Sequence, residues 1–249
     1  MLLGVAPSSG STIGITTTDL KGARGSNGGD CTSTFGGTSA GTAFFDPCIV
    51  TNLLVAAPLI AGLTALVLEA NPNLTWRDVQ GVLIAGTVKN DPSDTDWVLN
   101  GAGLWVNHKY GFGLIDAYNS VKAAQEWQNL PPLVSSSVTK VDSTVLTEGQ
   151  VIDVVVPFTI AFTVEHVELL FLASHPRRGD LRIELISPAG TQSVLAEYHH
   201  DTNPDYNWTF GTIRHWGESS VGQWIVRIKD ESIGYQGQMQ KVQLTIYGH

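Results

Sequence analysis

The strongest chemical signal in the sequence is a serine within a run of small residues, FGGTSA, at residues 35–40. This residue, Ser39, can sit on a tight turn at the start of a helix. There, backbone N–H groups and the helix dipole stabilise the negative charge that develops when a serine attacks a carbonyl. The tetrapeptide GTSA is also common in ordinary loops. The residues around this tetrapeptide are therefore needed to distinguish a catalytic nucleophile from a structural loop.

Two further groups of residues suit a ligand or a modification. Asp91, Asp94 and Asp96 could bind a cation, but their spacing lacks the glycine and the terminal glutamate of a calcium-binding loop. A solvated acidic loop is the simpler interpretation. Asn73-Leu74-Thr75 and Asn207-Trp208-Thr209 have the pattern of N-glycosylation acceptors, which matters only in a secreted eukaryotic protein.

The composition limits the class of protein. With 249 residues, 43% of them apolar and 15% charged, the chain can bury a core and is not disordered. Its 14 basic and 23 acidic residues give a net charge of −9 without a basic stripe, which argues against a nucleic-acid partner. The two cysteines, Cys31 and Cys48, exclude a disulfide-dense scaffold and a CxxC zinc cluster.

The first half of the chain has helical patterns separated by Gly- and Ser-rich loops. An apolar helix is predicted over residues 57–70, followed by a second helix with Thr75 as its N-cap and Asp78 near its positive end. A third helix is predicted over residues 115–127. The uncharged stretch 47–68 is long enough to cross a bilayer. Its Asn, Pro and Gly residues and the lack of flanking basic residues favour a buried core helix instead.

The periodicity changes after residue 130. Two prolines and three serines follow at residues 131–137, a composition typical of a linker. We therefore expect two domains, at residues 1–130 and 131–249. In the second, short runs with every second residue apolar are separated by turn signals, which predicts an all-β sandwich. The predicted strands are residues 151–158, 166–173, 180–186, 193–198, 223–229 and 241–247.

The context of Ser39 resembles the nucleophile region of the subtilases. That family has Gly-Thr-Ser-Ala, two residues, a proline and then a helix of small residues. Here Pro58 follows Ser39 by nineteen positions, and the family pattern is complete only when residues 41–55 are left out. The runs LVLEANPNLTWRDVQ at residues 66–80 and HKYGFGLIDA at residues 108–117 resemble the kexin and furin branch of the family.

The second half resembles the P (Homo B) domain of the proprotein convertases. The matching runs are SHPRRGDL at 174–181, SPAGT at 187–191, HWGE at 215–218 and GQW at 222–224. The chain is thus identified as a member of the kexin/furin-like convertases. The implied fold is an incomplete α/β subtilisin-like fragment followed by an all-β, jelly-roll-like sandwich. In that setting Arg178-Gly179-Asp180 is expected to be a structural turn rather than an adhesion tripeptide.

The resemblance implies a serine endopeptidase that cleaves precursor proteins after paired basic residues, with Ser39 as nucleophile. In the family, the Asp and His of the triad and the Asn of the oxyanion hole precede this serine. Only 38 residues precede Ser39 here, and all seven histidines follow it. We therefore expect these three groups to be missing and the chain to be inactive alone. Calcium is expected only in the complete catalytic domain of the family.

Residues 41–55 separate Ser39 from the helix that should follow it. A translated intron or gene-model error explains them best, because their removal restores the motif in frame. The alternatives are a loop insertion that inactivates the site and an insertion with a function of its own. Cys31 lies where convertases carry a disulfide cysteine whose partner would lie upstream, and a Cys31–Cys48 bridge is the other possibility.

Two functions remain open on the sequence. The first is an enzyme: the C-terminal part of a secretory-pathway endoprotease, acting on proteins with paired basic residues together with the missing N-terminal part of its catalytic domain. The second is a catalytically dead product whose P domain is a folding or interaction module. Residues 1–249 show neither a signal-peptide pattern nor a membrane anchor.

Overall fold

The computed structural model describes residues 2–6 and 57–249 in full, and the backbone alone of residues 15–18, 31–35 and 56. The chain divides into two compact units. The sandwich unit consists of Met1–Leu3, Asp91–Phe112 and Leu130–His249, and the helical unit consists of Gly4–Asn90 and Gly113–Asn129. The chain enters the sandwich unit for the last time at Leu130, next to the predicted boundary between the two domains. The segment Asp91–Phe112, from the first half of the chain, belongs to it as well. The domain assignment 1–130 and 131–249 stays a prediction.

The first half of the chain contains short paired strands and three helices, and the second half contains strands. In chain order they are β1 (Ile15–Thr18), β2 (Cys31–Phe35), α1 (Ala56–Ala70), α2 (Trp76–Ala85), β3 (Thr87–Val88), β4 (Val98–Leu99), β5 (Trp105–Val106), β6 (Leu114–Ile115), α3 (Ala117–Glu126), β7 (Val134–Val141), β8 (Val145–Leu146), β9 (Val151–Phe158), β10 (Val164–Ser174), β11 (Leu181–Ile186), β12 (Gln192–Ala196), β13 (Tyr206–Thr212), β14 (Gly222–Asp230) and β15 (Gly237–Gly248).

Two antiparallel sheets build the sandwich unit. The first has the strand order β13-β10-β15-β7, with β8 also paired to β15, and the second has the order β12-β11-β14-β9. Alternate residues of their strands point inward, so that the core lies between the sheets. Leu181, Ile183 and Leu185 of β11 and Trp224 and Val226 of β14 have no exposed surface. Burying one large apolar side chain in this way stabilises the fold by about 1.5–3 kcal/mol. The predicted all-β sandwich is confirmed.

Three strands of the two sandwich sheets, β7, β8 and β13, were not predicted from the sequence. The serines at residues 135–137 lie in β7, not in a linker, and Ser137 Oγ lies 2.9 Å from Thr245 Oγ1 of the neighbouring strand. An antiparallel edge strand with one face in solvent accepts such polar residues. The strand Tyr206–Thr212 was not predicted either. Its residues Tyr206, Trp208 and Phe210 alternate with Asn207, Thr209 and Gly211, so the pattern of a half-buried strand was present in the sequence and was overlooked.

The helical unit confirms two of the predicted helix starts and shifts the third. Helix α1 covers the predicted range, and Thr75 caps α2 in a reciprocal capping box with Asp78. Helix α3 begins at Ala117 with Asp116 as its N-cap. Ile115 instead pairs with Thr87 in the β3–β6 ladder, so the predicted start of this helix at residue 115 is wrong. A two-residue ladder of long sequence separation leaves no periodic signal.

Candidate functional site

The predicted nucleophile, Ser39, and the segment 41–55 lie outside the described residues, as does Cys48. Ser39 follows the end of β2 at Phe35 by four positions, and α1 begins at Ala56. Pro58 lies in the first turn of α1, where a proline is tolerated because the first N–H groups of a helix have no partner within it. The role of Ser39 stays a prediction.

The helices that follow the predicted nucleophile are joined by one buried carboxylate. Asp78 has no exposed surface. Its oxygens accept hydrogen bonds from the backbone N–H of Thr75 (2.7 Å), the indole N–H of Trp127 (3.0 Å) and the side-chain amide of Asn129 (3.1 Å). Asp78 therefore connects the start of α2 to the chain that leaves α3. The sequence identified its capping role but not these two distant donors.

Helix α1 is buried along one stripe and exposed along another. Leu63 and Val67 are buried, whereas Leu59 and Leu66 are 42% and 50% exposed. The helix is therefore buried along one side only, and it carries an exposed apolar surface along the other. This fifteen-residue helix is too short for a bilayer, and no other helix of the described chain has the length and apolar character to cross one.

The acidic loop at residues 91–96 is held by three consecutive residues of the sandwich unit. Lys109 Nζ donates to Asp94 at 2.6 Å, and His108 Nδ1 lies 2.9 Å from Asp96. The hydroxyl of Tyr110 donates to Asp91 at 3.0 Å. The hydrogen bond from Lys109 is the main cause that lowers the pKa of Asp94 to about 2.

These contacts do not suit a calcium ion. A calcium site needs six to eight oxygen ligands around one point, but Asp94 faces an ammonium group and Asp96 an imidazole. The side-chain amide of Asn107 also donates to Asp94, at 3.0 Å. Among the described residues, no group of three or more His, Cys, Asp or Glu side chains could hold a metal. The three aspartates therefore have a structural role.

A second polar cluster joins the segment Asp91–Phe112 to the sandwich. The side-chain amide of Asn100 donates to the carbonyl oxygens of Arg214 (3.0 Å) and Trp216 (2.9 Å). The backbone N–H of Gly101 donates to Glu218 Oε1 at 2.8 Å, and the hydroxyl of Thr191 donates to the same oxygen. The contacts of Asn100 and Gly101 were not predictable from the sequence, because they join residues more than 110 positions apart.

Glu218 of this cluster is paired with a buried imidazole. Burial alone would raise the pKa of Glu218, but His215 and the hydroxyls of Ser187 and Thr191 lower it to about 2. His215 has no exposed surface, and its Nδ1 lies 3.7 Å from Glu218 Oε2. Burial lowers the pKa of His215. Its ring packs edge-on against Trp224, with 5.0 Å between the ring centres.

The Arg178-Gly179-Asp180 tripeptide is a short 3₁₀ turn that leads into β11, as expected. Gly179 and Asp180 are buried, and Arg178 Nε donates to Asp201 at 2.6 Å. A Cβ atom on Gly179 would lie 2.2 Å from the carbonyl oxygen of His199. The tripeptide is thus a packed structural element and not an accessible adhesion motif.

The comparisons with known proteins match both halves of the chain. Residues 55–113 match the model of the Subtilase family, and residues 164–246 match that of the Proprotein convertase P-domain. The subtilase match begins at the last residue of the segment 41–55. These matches define a subtilase-type segment joined to a P-domain sandwich, which confirms the fold class expected from the sequence.

Similar full-length proteins make the assignment more specific. The chain is 37% identical to human "Proprotein convertase subtilisin/kexin type 6" over 255 aligned residues, which cover 88% of this chain and 26% of that protein. It is 38% identical to "Protease KEX1" of Kluyveromyces lactis over 241 aligned residues, which cover 90% of this chain and 28% of that protein. The chain belongs to the kexin/furin-like proprotein convertases. It spans about a quarter of the length of these relatives.

A solved structure shares the fold. The serine protease of Aeromonas sobria, in complex with its chaperone, superposes with a TM-score of 0.79 at 24% identity. The match covers 97% of this chain and 52% of that one. At this level of identity the likeness concerns the fold alone.

Proposed function

We propose that this chain is part of a serine endopeptidase that cleaves precursor proteins after paired basic residues in the secretory pathway. Ser39 is its nucleophile. The single observation that carries the proposal is the joint presence of the subtilase segment and the P-domain sandwich in one chain. The identity of 37–38% to convertases over most of the chain supports it.

We further propose that residues 1–249 do not cleave peptides by themselves. A serine nucleophile needs a histidine to take its proton and an aspartate to orient that histidine. In the family both come before the serine, and no histidine precedes Ser39 in this sequence. Subtilisin, a relative, loses about 10⁶ in turnover when its histidine alone is removed. In this proposal the calcium sites of the family also lie upstream of Ser39, in the part of the catalytic domain that supplies the histidine and the aspartate.

The segment 41–55 is the second reason for expecting no activity. It lies between the nucleophile and α1, whose N-terminal end would otherwise follow Ser39 closely in the chain. Its removal gives the family pattern, and the subtilase match starts where the segment ends. We propose that the active protein lacks these fifteen residues.

The experiment that tests this proposal compares three proteins. They are residues 1–249, the product of the longer transcript read from cDNA upstream of residue 1, and that product with Ser39→Ala. We expect the longer product to cleave a fluorogenic peptide ending in Arg-Arg, and the other two to be inactive. Cleavage of the peptide by residues 1–249 would overturn the proposed inactivity. A longer product with no peptidase activity would overturn the proposed enzyme.

The second candidate function, a catalytically dead product that acts through its P domain, is favoured by one observation. The sandwich unit has its own buried core between two complete sheets, whereas α1 of the helical unit leaves leucines exposed. A transcript that starts at Met1 and keeps residues 41–55 would support this candidate. A transcript that extends upstream into Asp and His motifs would support the enzyme.

A further inference from the structure

Strand β13 places the two essential residues of a glycosylation acceptor side by side. Asn207 and Thr209 are two positions apart, so they lie on the same face of the strand. They pair with Leu172 and Leu170 of β10. The opposite face carries Tyr206, which is buried in the sandwich core, and Phe210, which packs against it. Asn207 and Thr209 therefore point away from the core, and both are exposed.

This position can accept a large group without any change in the fold. Within the described part of the sheet, β13 is the outermost strand next to β10. An attached glycan is bulky and hydrated, and it has to extend into solvent. On the outward face of β13 it would project from the sheet and lie over the half-buried Leu170 and Leu172.

A glycan here would also serve the strand itself. An outermost strand presents unpaired N–H and C=O groups, and proteins protect such edges from pairing with another chain. The seven residues of β13 include no acidic residue, no lysine and no proline. Trp208, which is 62% exposed, adds apolar surface to the same edge.

The second acceptor sequence of the chain has a different environment. Asn73 lies in the turn between α1 and α2, and its backbone N–H and C=O are bonded to Asn71 and Asn129. The hydroxyl of Thr75 is engaged by Asp78 in the capping box. Leu74, between them, is buried. Asn73 is thus a separate acceptor, and it is removed in the experiment that tests Asn207.

We propose that Asn207 is an N-glycosylation site whose glycan covers the outer edge of the P-domain sandwich. The inference rests on the proposed secretory localisation. The covalent step joins the Asn207 amide nitrogen to the first sugar of a lipid-linked oligosaccharide donor, with loss of one proton from the amide and release of the lipid diphosphate. The enzyme of the secretory pathway that glycosylates Asn-X-Ser/Thr sequences supplies the catalysis.

The test is translation of residues 1–249, preceded by a cleavable signal sequence, in the presence of endoplasmic reticulum membranes. Asn73→Gln is present throughout, so that Asn207 is the acceptor under study, and an added C-terminal acceptor sequence certifies entry into the lumen. We expect a second glycan, removable by peptide-N-glycosidase. It should be absent in Asn207→Gln and in Thr209→Ala, and present in Thr209→Ser. A chain that carries the C-terminal glycan alone would overturn the proposal.

A second measurement tests the outward placement on the folded protein. Peptide-N-glycosidase should release the glycan from secreted, undenatured protein and convert Asn207 to Asp, which peptide mass spectrometry detects. Release that requires denaturation would contradict the exposed position on β13. Neither measurement depends on peptidase activity, so failure of this inference and failure of the proposed function are separate results.

Discussion

The backbone N–H of Gly101 donates a hydrogen bond of 2.8 Å to Glu218, 117 positions later in the chain. Gly101 lies within the segment that matches the subtilase family, and Glu218 lies within the P-domain match. Both residues belong to the sandwich unit. A part of the peptidase-type sequence therefore contributes directly to the polar interior of the P-domain fold.

Glu218→Gln should destabilise the sandwich unit. The substitution removes a buried charge that accepts hydrogen bonds from Gly101 and Thr191. Hydrogen bonds to charged groups contribute about 1.5–3 kcal/mol each, so we expect a loss of about 1–3 kcal/mol in the free energy of unfolding. Urea denaturation followed by tryptophan fluorescence measures this loss. The exposed Glu197→Gln is the matched control, and equal effects of the two substitutions would contradict a structural role for Glu218.

Ile183→Ala should destabilise the protein far more than Ile233→Ala. Ile183 has no exposed surface in the sandwich core, whereas Ile233 is 81% exposed. Truncation of a buried isoleucine costs about 2–5 kcal/mol because it removes apolar contacts and leaves a cavity. The exposed position should change stability by about 0.5 kcal/mol or less. Denaturant titration of both variants checks the difference, and a small effect at residue 183 would mean that this core is not packed as described.

Thr75→Ala should weaken the start of α2. The Thr75 side chain accepts a hydrogen bond from the Asp78 N–H in the capping box. Loss of an N-cap of this kind costs about 0.5–2 kcal/mol. Thermal unfolding followed by circular dichroism measures the effect, with the exposed Thr147→Ala as control. Thr75→Ser should keep most of the stability, because serine caps a helix equally well.

Lys109→Met should raise the pKa of Asp94 from about 2 towards the ordinary value of an aspartate. The folded pKa of Asp94 is lower than its unfolded value. Its contribution to stability is therefore present above the unfolded pKa and lost as the pH falls towards about 2. Carboxyl ¹³C NMR titration follows this group directly. Lys140→Met, on an exposed position of β7, should leave the titration of Asp94 unchanged.

The strands of the sandwich and the capped helix were predictable because they depend on residues close in sequence. Alternation identified β9, β11 and β14, and Thr75 with Asp78 identified the start of α2. The contacts of Asp78 with Trp127 and of Gly101 with Glu218 were not predictable. They join residues about 50 and more than 100 positions apart and leave no local pattern.

The candidate site was reached through family motifs rather than through periodicity. The tetrapeptide around Ser39 is a weak signal by itself. The motifs at residues 66–80 and 108–117 supported the family resemblance that makes Ser39 a candidate nucleophile. The acidic loop, in contrast, was interpreted from its residue types alone, and the structure then supplied its contacts. The sequence presented Asp94 as a possible cation ligand, and the ammonium of Lys109 explains its charge without a metal.

The place of β15 in its sheet has a consequence for synthesis. This strand, Gly237–Gly248, lies between β10 and β7 and also pairs with β8, although it is the last strand in the sequence. Strands β7, β8 and β10 leave the ribosome before their common partner exists. The first sheet can therefore close only after translation has passed residue 248, and until then β10 presents an unpaired, apolar edge to which a chaperone can bind.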